Sequence, residues 1–103
     1  MDVVFHAHHA VISERMQERA TRGLRRVAQR VERAVDATVR FEQDGPTRRV
    51  EIRVNAPGHR DLIAQGTSRY YGPALKIALA HLESQVARVR RAPKGKATRL
   101  SRT

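Results

Sequence analysis

The chain has no cysteine, no tryptophan and only four aromatic residues among 103. Without cysteine it can form no disulfide, thiolate metal site or cysteine nucleophile. Four aromatic residues are too few to line a deep cofactor pocket, so the core must be mainly aliphatic. No run approaches the roughly 18 apolar residues of a membrane span, and the N-terminus lacks a signal-peptide pattern. We therefore expect one small cytoplasmic domain with no cofactor, no membrane contact and no small-molecule substrate.

Acidic residues are also scarce, since 10 of them stand against 21 basic residues, of which 18 are arginine. The planar guanidinium group of arginine matches phosphate oxygens and stacks on nucleobases. The excess therefore indicates a polyanionic partner, most plausibly nucleic acid. No Ser-His-Asp spacing, carboxylate pair or glycine-rich phosphate loop stands out, so we expect a binding protein and not an enzyme.

Alternating apolar and polar residues predict four strands. The first three cover residues 3–8, 37–42 and 50–56, and the fourth begins at Leu62. The turn residues Asp44-Gly45-Pro46 join the second and third strands in a hairpin, and Pro57-Gly58 predicts another turn before the fourth strand.

Apolar residues spaced by three and four predict two helices. The first covers residues 14–34 with Ser13 as its N-cap. The second carries one apolar stripe, formed by Leu75, Ala78, Leu79, Leu82, Val86 and Val89. Because proline lacks an N–H and is tolerated only in a first turn, this helix should be capped between Tyr70 and Gly72, with Gly72-Pro73 the favoured cap and first residue.

The order β-α-β-β-β-α predicts an α+β fold with an antiparallel four-stranded sheet and both helices packed on its single apolar face. Residues 1–91 would form this domain. Residues 92–103 contain four basic residues, no acidic residue and little to bury, so we expect a disordered basic tail.

Arginines segregate on the first predicted helix. Six of them fall within an arc of roughly 80° at 100° per residue: Arg15, Arg19, Arg22, Arg26, Arg30 and Arg33. Like charges at i,i+3 and i,i+4 destabilise a helix, so stability alone would not select this arrangement. It predicts a nucleic-acid-binding surface, extended by Arg88, Arg90, Arg91 and Lys94 near the second helix. The alternative is an ordinary solvated polar face.

Four segments follow one another along the chain in a familiar order: HHAVISERMQERATRGLRRV, VNAPG, LIAQG and ALKIALAHLESQV. Together they resemble the bacterial hibernation-promoting factor and ribosome-associated inhibitor family, also called sigma-54 modulation proteins, in its short form. The first segment resembles a family pattern of His-x-x-Ile-Thr followed by a helix ending Leu-x-Lys-Leu. In the last, Leu82, Glu83, Gln85 and Val86 match a Leu-Glu-x-Gln-Leu segment. The resemblance covers about residues 3–91 in order.

The resemblance implies a β-α-β-β-β-α fold similar to double-stranded-RNA-binding domains. It also implies a ribosome-associated translation inhibitor that binds the small ribosomal subunit at the decoding channel. There it would contact 16S rRNA and exclude messenger and transfer RNA, without catalysis and as a monomer when off the ribosome. By position, Arg26 replaces a family lysine and Arg88 occupies a basic position. His81 and Ser84 replace basic residues, and Tyr70 replaces an acid.

Three other functions stay open from the residues alone. A DNA-binding or other general nucleic-acid-binding protein would show the same electrostatics. His6 and His8 share a strand face and could bind a metal ion with His9, His59 or His81, although exposed histidines beside a basic surface are the favoured interpretation. Direct control of a sigma factor has no particular support.

The two tyrosines before the second helix are interpreted differently. Tyr70 is a candidate for stacking on RNA, whereas Tyr71 should pack over the sheet edge.

Overall fold

Four strands and two helices follow one another in the order β-α-β-β-β-α. The structure is a computed structural model that describes residues 1–31, 36–56 and 60–91, with side chains as far as residue 88. The elements are β1 (Asp2–His8), α1 (Glu14–Ala28), β2 (Asp36–Asp44), β3 (Thr47–Asn55), β4 (Leu62–Ser68) and α2 (Tyr71–Arg91). The predicted order and α+β class are confirmed. The predicted turn at Pro57-Gly58 and the tail at 92–103 lie outside the described residues.

The sheet is mixed, in the spatial order β1-β2-β3-β4. The β2–β3 and β3–β4 pairs are antiparallel, but β1 runs parallel to β2. The prediction of a fully antiparallel sheet is therefore wrong for this one pair. The reason is that α1 connects β1 to β2. The helix returns the chain to the end of the sheet at which β1 began, so β2 runs in the same direction as β1.

Both helices cover the same face of the sheet. The alternate residues of β2 and β3 that face the helices, among them Val39, Phe41 and Ile52, are fully buried. They pack with Leu24 of α1 and with Ala74, Leu75, Ala78, Leu82 and Val86 of α2. No polar or charged residue in the described part of the chain is buried. Apart from Phe41, the buried core is aliphatic, as the shortage of aromatic residues predicts, and the other sheet face is open.

Helix α1 begins where the sequence predicts and ends earlier. Ser13 is its N-cap, since the hydroxyl of Ser13 accepts a 3.1 Å hydrogen bond from the N–H of Met16. The helix ends at Ala28, and a tighter turn follows in which the N–H of Val31 donates to the carbonyl of Ala28. Val31 remains buried in this turn. The apolar spacing therefore continues beyond the last helical residue, which is why the prediction of a helix to residue 34 was too long.

Helix α2 begins at Tyr71, and the carbonyl of Tyr70 accepts its first hydrogen bond, from the N–H of Ala74 at 3.2 Å. Tyr70 lies inside the predicted range for the cap, but the favoured Gly72-Pro73 pair is wrong. Pro73 is instead the third helical residue. It is tolerated there because N–H groups of the first turn have no helical acceptor in any case. Of the predicted apolar stripe, the side chain of Val89 lies outside the described residues.

Helix α2 is held closely against the edge strand β4. A Cβ atom at Gly66 would lie 2.6 Å from the backbone nitrogen of Ala78, so only glycine permits this approach. Two α2 side chains also reach the backbone of the strand. Gln85 Nε2 donates to the carbonyl of Ile63 at 2.6 Å, and His81 Nδ1 lies 2.8 Å from the carbonyl of Gln65. These contacts satisfy acceptors that an edge strand otherwise leaves unpaired.

The β2–β3 hairpin turns through Gly45 and Pro46, as the sequence predicts. Gly45 has φ 61°, in the left-handed region where glycine carries no steric penalty. Across residues 1–31, 36–56 and 60–91, neither helix is long and apolar enough to cross a membrane.

Candidate nucleic-acid interface

The outer surface of α1 presents a row of arginines. Ala20, Leu24 and Val27 form the buried face of the helix, so the positions on the side away from that face point to solvent. Four arginines spaced by three and four residues are exposed there: Arg15, Arg19, Arg22 and Arg26. Within the described part of the chain, none of the four has a carboxylate oxygen within 4.0 Å of its guanidinium nitrogens. Their charge is therefore available to a ligand.

A groove between α1 and α2, here called the interhelix groove, gathers most of these charges. It is lined by Arg19, Arg22, Gly23, Arg26, Leu75, Lys76 and Leu79. Among the described residues, its walls therefore carry four cationic side chains and no carboxylate, above a floor that includes two leucines. A row of cations over a partly apolar floor matches the backbone of a nucleic acid, whose phosphates are charged and whose sugars are not.

Two glycines bring the helices together at this groove. A Cβ atom at Gly23 would lie 2.6 Å from Leu79 Cδ1, so the missing side chain lets α2 approach α1. A Cβ atom at Gly72 would lie 3.1 Å from Arg19 Nη1. Arg19 thus rests against the first turn of α2, which contains no acidic residue. A cation beside the positive end of a helix dipole makes this end of the groove strongly electropositive.

The structure separates the predicted RNA-binding residues into groups. Arg19, Arg22 and Arg26 line the groove, whereas Arg15 and Arg88 are exposed on their helices and do not line it. Arg30 lies beyond the end of α1, and its Nη1 is 3.6 Å from Glu83 Oε2 on α2. Arg33 and Lys94, and the side chains of Arg90 and Arg91, lie outside the described residues.

Lys76 is a groove residue that the sequence reasoning missed. It stands in α2 directly after Leu75 and three residues before Leu79, and so flanks the apolar stripe. A charged residue beside the stripe of one helix lies next to whatever packs on that helix. That spacing could have identified Lys76, but only once α1 was known to be the neighbour.

The open sheet face has a different electrostatic character. Arg49 Nη1 lies 3.2 Å from Glu42 Oε1 on the neighbouring strand, and Arg53 Nη1 lies 3.7 Å from Asp61 Oδ2. By the strand register, all the acidic residues of the strands fall on this face: Asp2, Asp36, Glu42, Asp44 and Glu51. Arg49 and Glu42 are directly opposite each other in the strand register and form a cross-strand ion pair. The positive surface of the domain is thus on its helices.

The histidines do not converge on a metal site among the described residues. His6 and His8 line a shallow depression on the open face with Arg40 and Glu42, and no group of three metal-ligating side chains occurs in the described ranges. His81 lies against β4, at the opposite edge of the sheet from β1 and about 14 Å away at the usual strand spacing. It cannot complete a site with His6 and His8. His59 lies outside the described residues.

The two tyrosines at the start of α2 have opposite environments. Tyr71 is half-buried, with its ring edge-on to Phe41 at 5.4 Å between centroids and the Arg48 guanidinium 5.8 Å from its centre. Its hydroxyl is shielded from solvent and has no hydrogen-bond partner among the described residues. Burial raises the pKa of Tyr71, as does Glu42, while Arg48 acts in the opposite direction. Tyr71 packs on the sheet as predicted, but over the inner strands β2 and β3 and not over the sheet edge. Tyr70 is 69% exposed.

Comparisons with known proteins agree with this architecture. A family model described as "Sigma 54 modulation protein / S30EA ribosomal protein" matches residues 3–94. A ribosomal subunit interface protein from Coxiella burnetii superposes with a TM-score of 0.80 at 19% identity, over 87% of this chain and 98% of that one. The N-terminal domain of Thermus thermophilus Protein Y gives 0.75 at 22% identity, over 86% and 99%. No curated protein matches the chain. The fold implied by the resemblance is confirmed.

Proposed function

Because the chain belongs to the sigma 54 modulation protein / S30EA ribosomal protein family, we propose that it is a translation inhibitor that acts on the small ribosomal subunit. It binds 16S rRNA at the decoding channel and blocks the binding of messenger and transfer RNA, so that idle ribosomes hibernate. Occlusion of the channel makes and breaks no covalent bond, and the protein is a monomer when it is off the ribosome.

The interhelix groove is the observation that carries this proposal. Arg19, Arg22 and Arg26 face Lys76 across it, and no carboxylate lines it in the part of the chain that the structure describes. Each cation that neutralises a phosphate releases counterions, and this term dominates the affinity of most RNA-binding surfaces. Arg15 and Arg88 extend the contact along α1 and α2. From the sequence alone, we include Arg30, Arg33, Arg90, Arg91 and Lys94 in the same surface.

The opposite side of the domain supports an oriented mode of binding. Every acidic residue of the strands lies on the open sheet face. Two arginines of that face are also paired with carboxylates. RNA would be repelled or only weakly attracted there. The charge distribution therefore favours a complex in which the helices face the rRNA and the open sheet face points away from it.

Cosedimentation with ribosomes through a sucrose gradient tests the proposal. We expect the protein to migrate with small subunits and with whole ribosomes at moderate salt. Excess duplex DNA should not displace it. Failure to migrate with either particle would refute the proposal, and displacement by duplex DNA would favour a general nucleic-acid-binding protein instead.

Two triple variants with the same loss of charge test the surface. Replacing Arg19, Arg22 and Arg26 by glutamine should greatly weaken ribosome binding. The plot of log association constant against log salt concentration should become less steep by about 2, because three phosphate contacts are lost. Replacing Arg40, Arg49 and Arg53 on the open face removes the same charge and should leave both quantities nearly unchanged. Equal effects of the two variants would show that net charge alone, and not the groove, drives binding.

A further inference from the structure

Tyr70 is the one aromatic side chain in the described part of the chain that the fold leaves in solvent. Its exposure is 69%, whereas Phe41 is fully buried and Phe5 and Tyr71 pack against the core. A single exposed apolar residue is common on proteins and by itself indicates nothing. The position of Tyr70 relative to the interhelix groove gives its exposure a meaning.

Tyr70 does not line the groove itself but directly precedes the first turn of α2, against which Arg19 rests. It is two residues before Gly72, the position against which the Arg19 guanidinium rests. Arg69, directly before it, is also exposed. An aromatic ring next to a row of phosphate-binding cations is the combination by which proteins hold unpaired nucleic acid, with the backbone on the cations and a base stacked on the ring.

The backbone that carries Tyr70 is held by the start of α2. The Tyr70 carbonyl accepts the hydrogen bond from Ala74 that begins α2. Its neighbour Tyr71 packs on Phe41 and lies beside Arg48. Because the backbone at Tyr70 is already ordered, stacking of a base restrains only the side-chain rotations of the ring, and more of the stacking free energy is retained.

We propose that the interhelix groove and Tyr70 together bind an unpaired RNA segment, with phosphates on Arg19 and its neighbours and one base stacked on Tyr70. A duplex cannot bind in this way because its bases are already stacked on one another inside the helix. The inference rests on the proposed function only in taking RNA as the ligand. It adds that the RNA is single-stranded where it meets Tyr70.

Fluorescence anisotropy with two labelled RNAs tests the proposal. One is an unstructured strand of about 12 nucleotides, and the other is a duplex of the same length. Tyr70→Ala should weaken binding of the single strand about tenfold and should change duplex binding less than about twofold. Tyr70→Phe, the matched control, keeps the aromatic face and should bind both RNAs as the parent protein does. An equal loss on both RNAs, or no loss on the single strand, would overturn the proposal.

Tyrosine fluorescence provides a direct readout of stacking, since the chain has no tryptophan and only two tyrosines. In Tyr71→Phe, Tyr70 is the sole fluorophore. The single strand should quench its emission at saturation and the duplex should not, because stacking on a base deactivates the excited ring. Emission that is unchanged by the bound single strand would show that no base reaches Tyr70.

The ribosome gradient distinguishes this inference from the proposed function. If the parent protein migrates with small subunits but Tyr70→Ala binds the single strand normally, the function stands and the stacking role is wrong. If the parent protein does not migrate with ribosomes yet shows the Tyr70-dependent preference for unpaired RNA, the ribosomal function is wrong and the single-strand site stands.

Discussion

Replacing Gly66 by alanine tests the packing that holds α2 on the sheet and thereby places Lys76 in the groove. The added methyl group would lie 2.6 Å from the backbone nitrogen of Ala78 and 2.9 Å from Ile77 Cβ, and it would overlap the carbonyl oxygen of Ala74. Ordinary contact begins at 3.4 Å. The backbone of α2 would have to retreat by at least about 0.8 Å to relieve the contact with the Ala78 nitrogen, and further at the Ala74 carbonyl oxygen. A gap of about 0.5–1 Å already forfeits roughly a quarter to a half of the dispersion energy between facing atoms.

The expected loss of stability is large because the obstructing atoms are mainly backbone and cannot rotate away. Overpacking a core usually costs about 1–3 kcal/mol, and side-chain adjustment keeps it in that range. Since little such adjustment is possible here, we expect the free energy of unfolding to fall by about 3 kcal/mol or more, out of a total of about 5–15 kcal/mol for a domain of this kind.

Urea unfolding followed by far-ultraviolet circular dichroism measures the effect. Gly72→Ala is the matched control, because its methyl group would meet only the flexible end of Arg19, at 3.1 Å. We expect it to change the free energy of unfolding by less than about 0.5 kcal/mol. If Gly66→Ala loses less than about 1 kcal/mol, or no more than Gly72→Ala, the close approach of α2 to β4 is wrong. Failure of Gly66→Ala alone to fold is the extreme form of the expected result.

Two further predictions concern the ends of the helices. Ser13→Ala should lower the free energy of unfolding by about 1 kcal/mol because the N–H of Met16 loses its acceptor, and Ser13→Asp should retain it; equal stability of all three proteins in urea would contradict the cap. Tyr71→Phe should be neutral or stabilising by up to about 1 kcal/mol at neutral pH, since the shielded hydroxyl has no partner among the described residues. Because burial raises the pKa of Tyr71 above its ordinary value of 10.0, the folded protein keeps the phenol proton longer than the unfolded chain. Stability should therefore fall as the pH rises above about 10, and less steeply in Tyr71→Phe; identical pH profiles in thermal unfolding would refute this.

The local features of the fold could be predicted because they depend on neighbouring residues. The Ser13 cap, the Gly45 turn and the strands of the hairpin follow from side-chain chemistry and period within a few positions. The end of α1 could not be predicted from period alone. Val31 is buried in a turn that follows the helix. It therefore fits the apolar spacing of the helix, although the helical backbone has already ended at Ala28.

The candidate site was predicted in part for the same reason. The exposed row of Arg15, Arg19, Arg22 and Arg26 follows from a single helical period, and the structure has it on the surface of α1. The role of Arg30 was not predictable, because its partner Glu83 lies on the other helix, more than fifty residues away in the chain. Lys76 was not predicted, because its place in the groove depends on α1 being the neighbour of α2.

The amino-acid sequence by itself determined the number and order of the elements, the mainly aliphatic core and the basic row on α1, and its charge predicts a polyanionic partner. Each of these depends on composition or on spacing within one element. The tertiary structure decided the parallel direction of β1, the opposition of Lys76 to the arginines of α1, and the contrast between a half-buried Tyr71 and an exposed Tyr70. These three features depend on how closely separate elements approach one another. The missing side chains of Gly23 and Gly66 allow that close approach, and the spacing of residues within one element does not predict it.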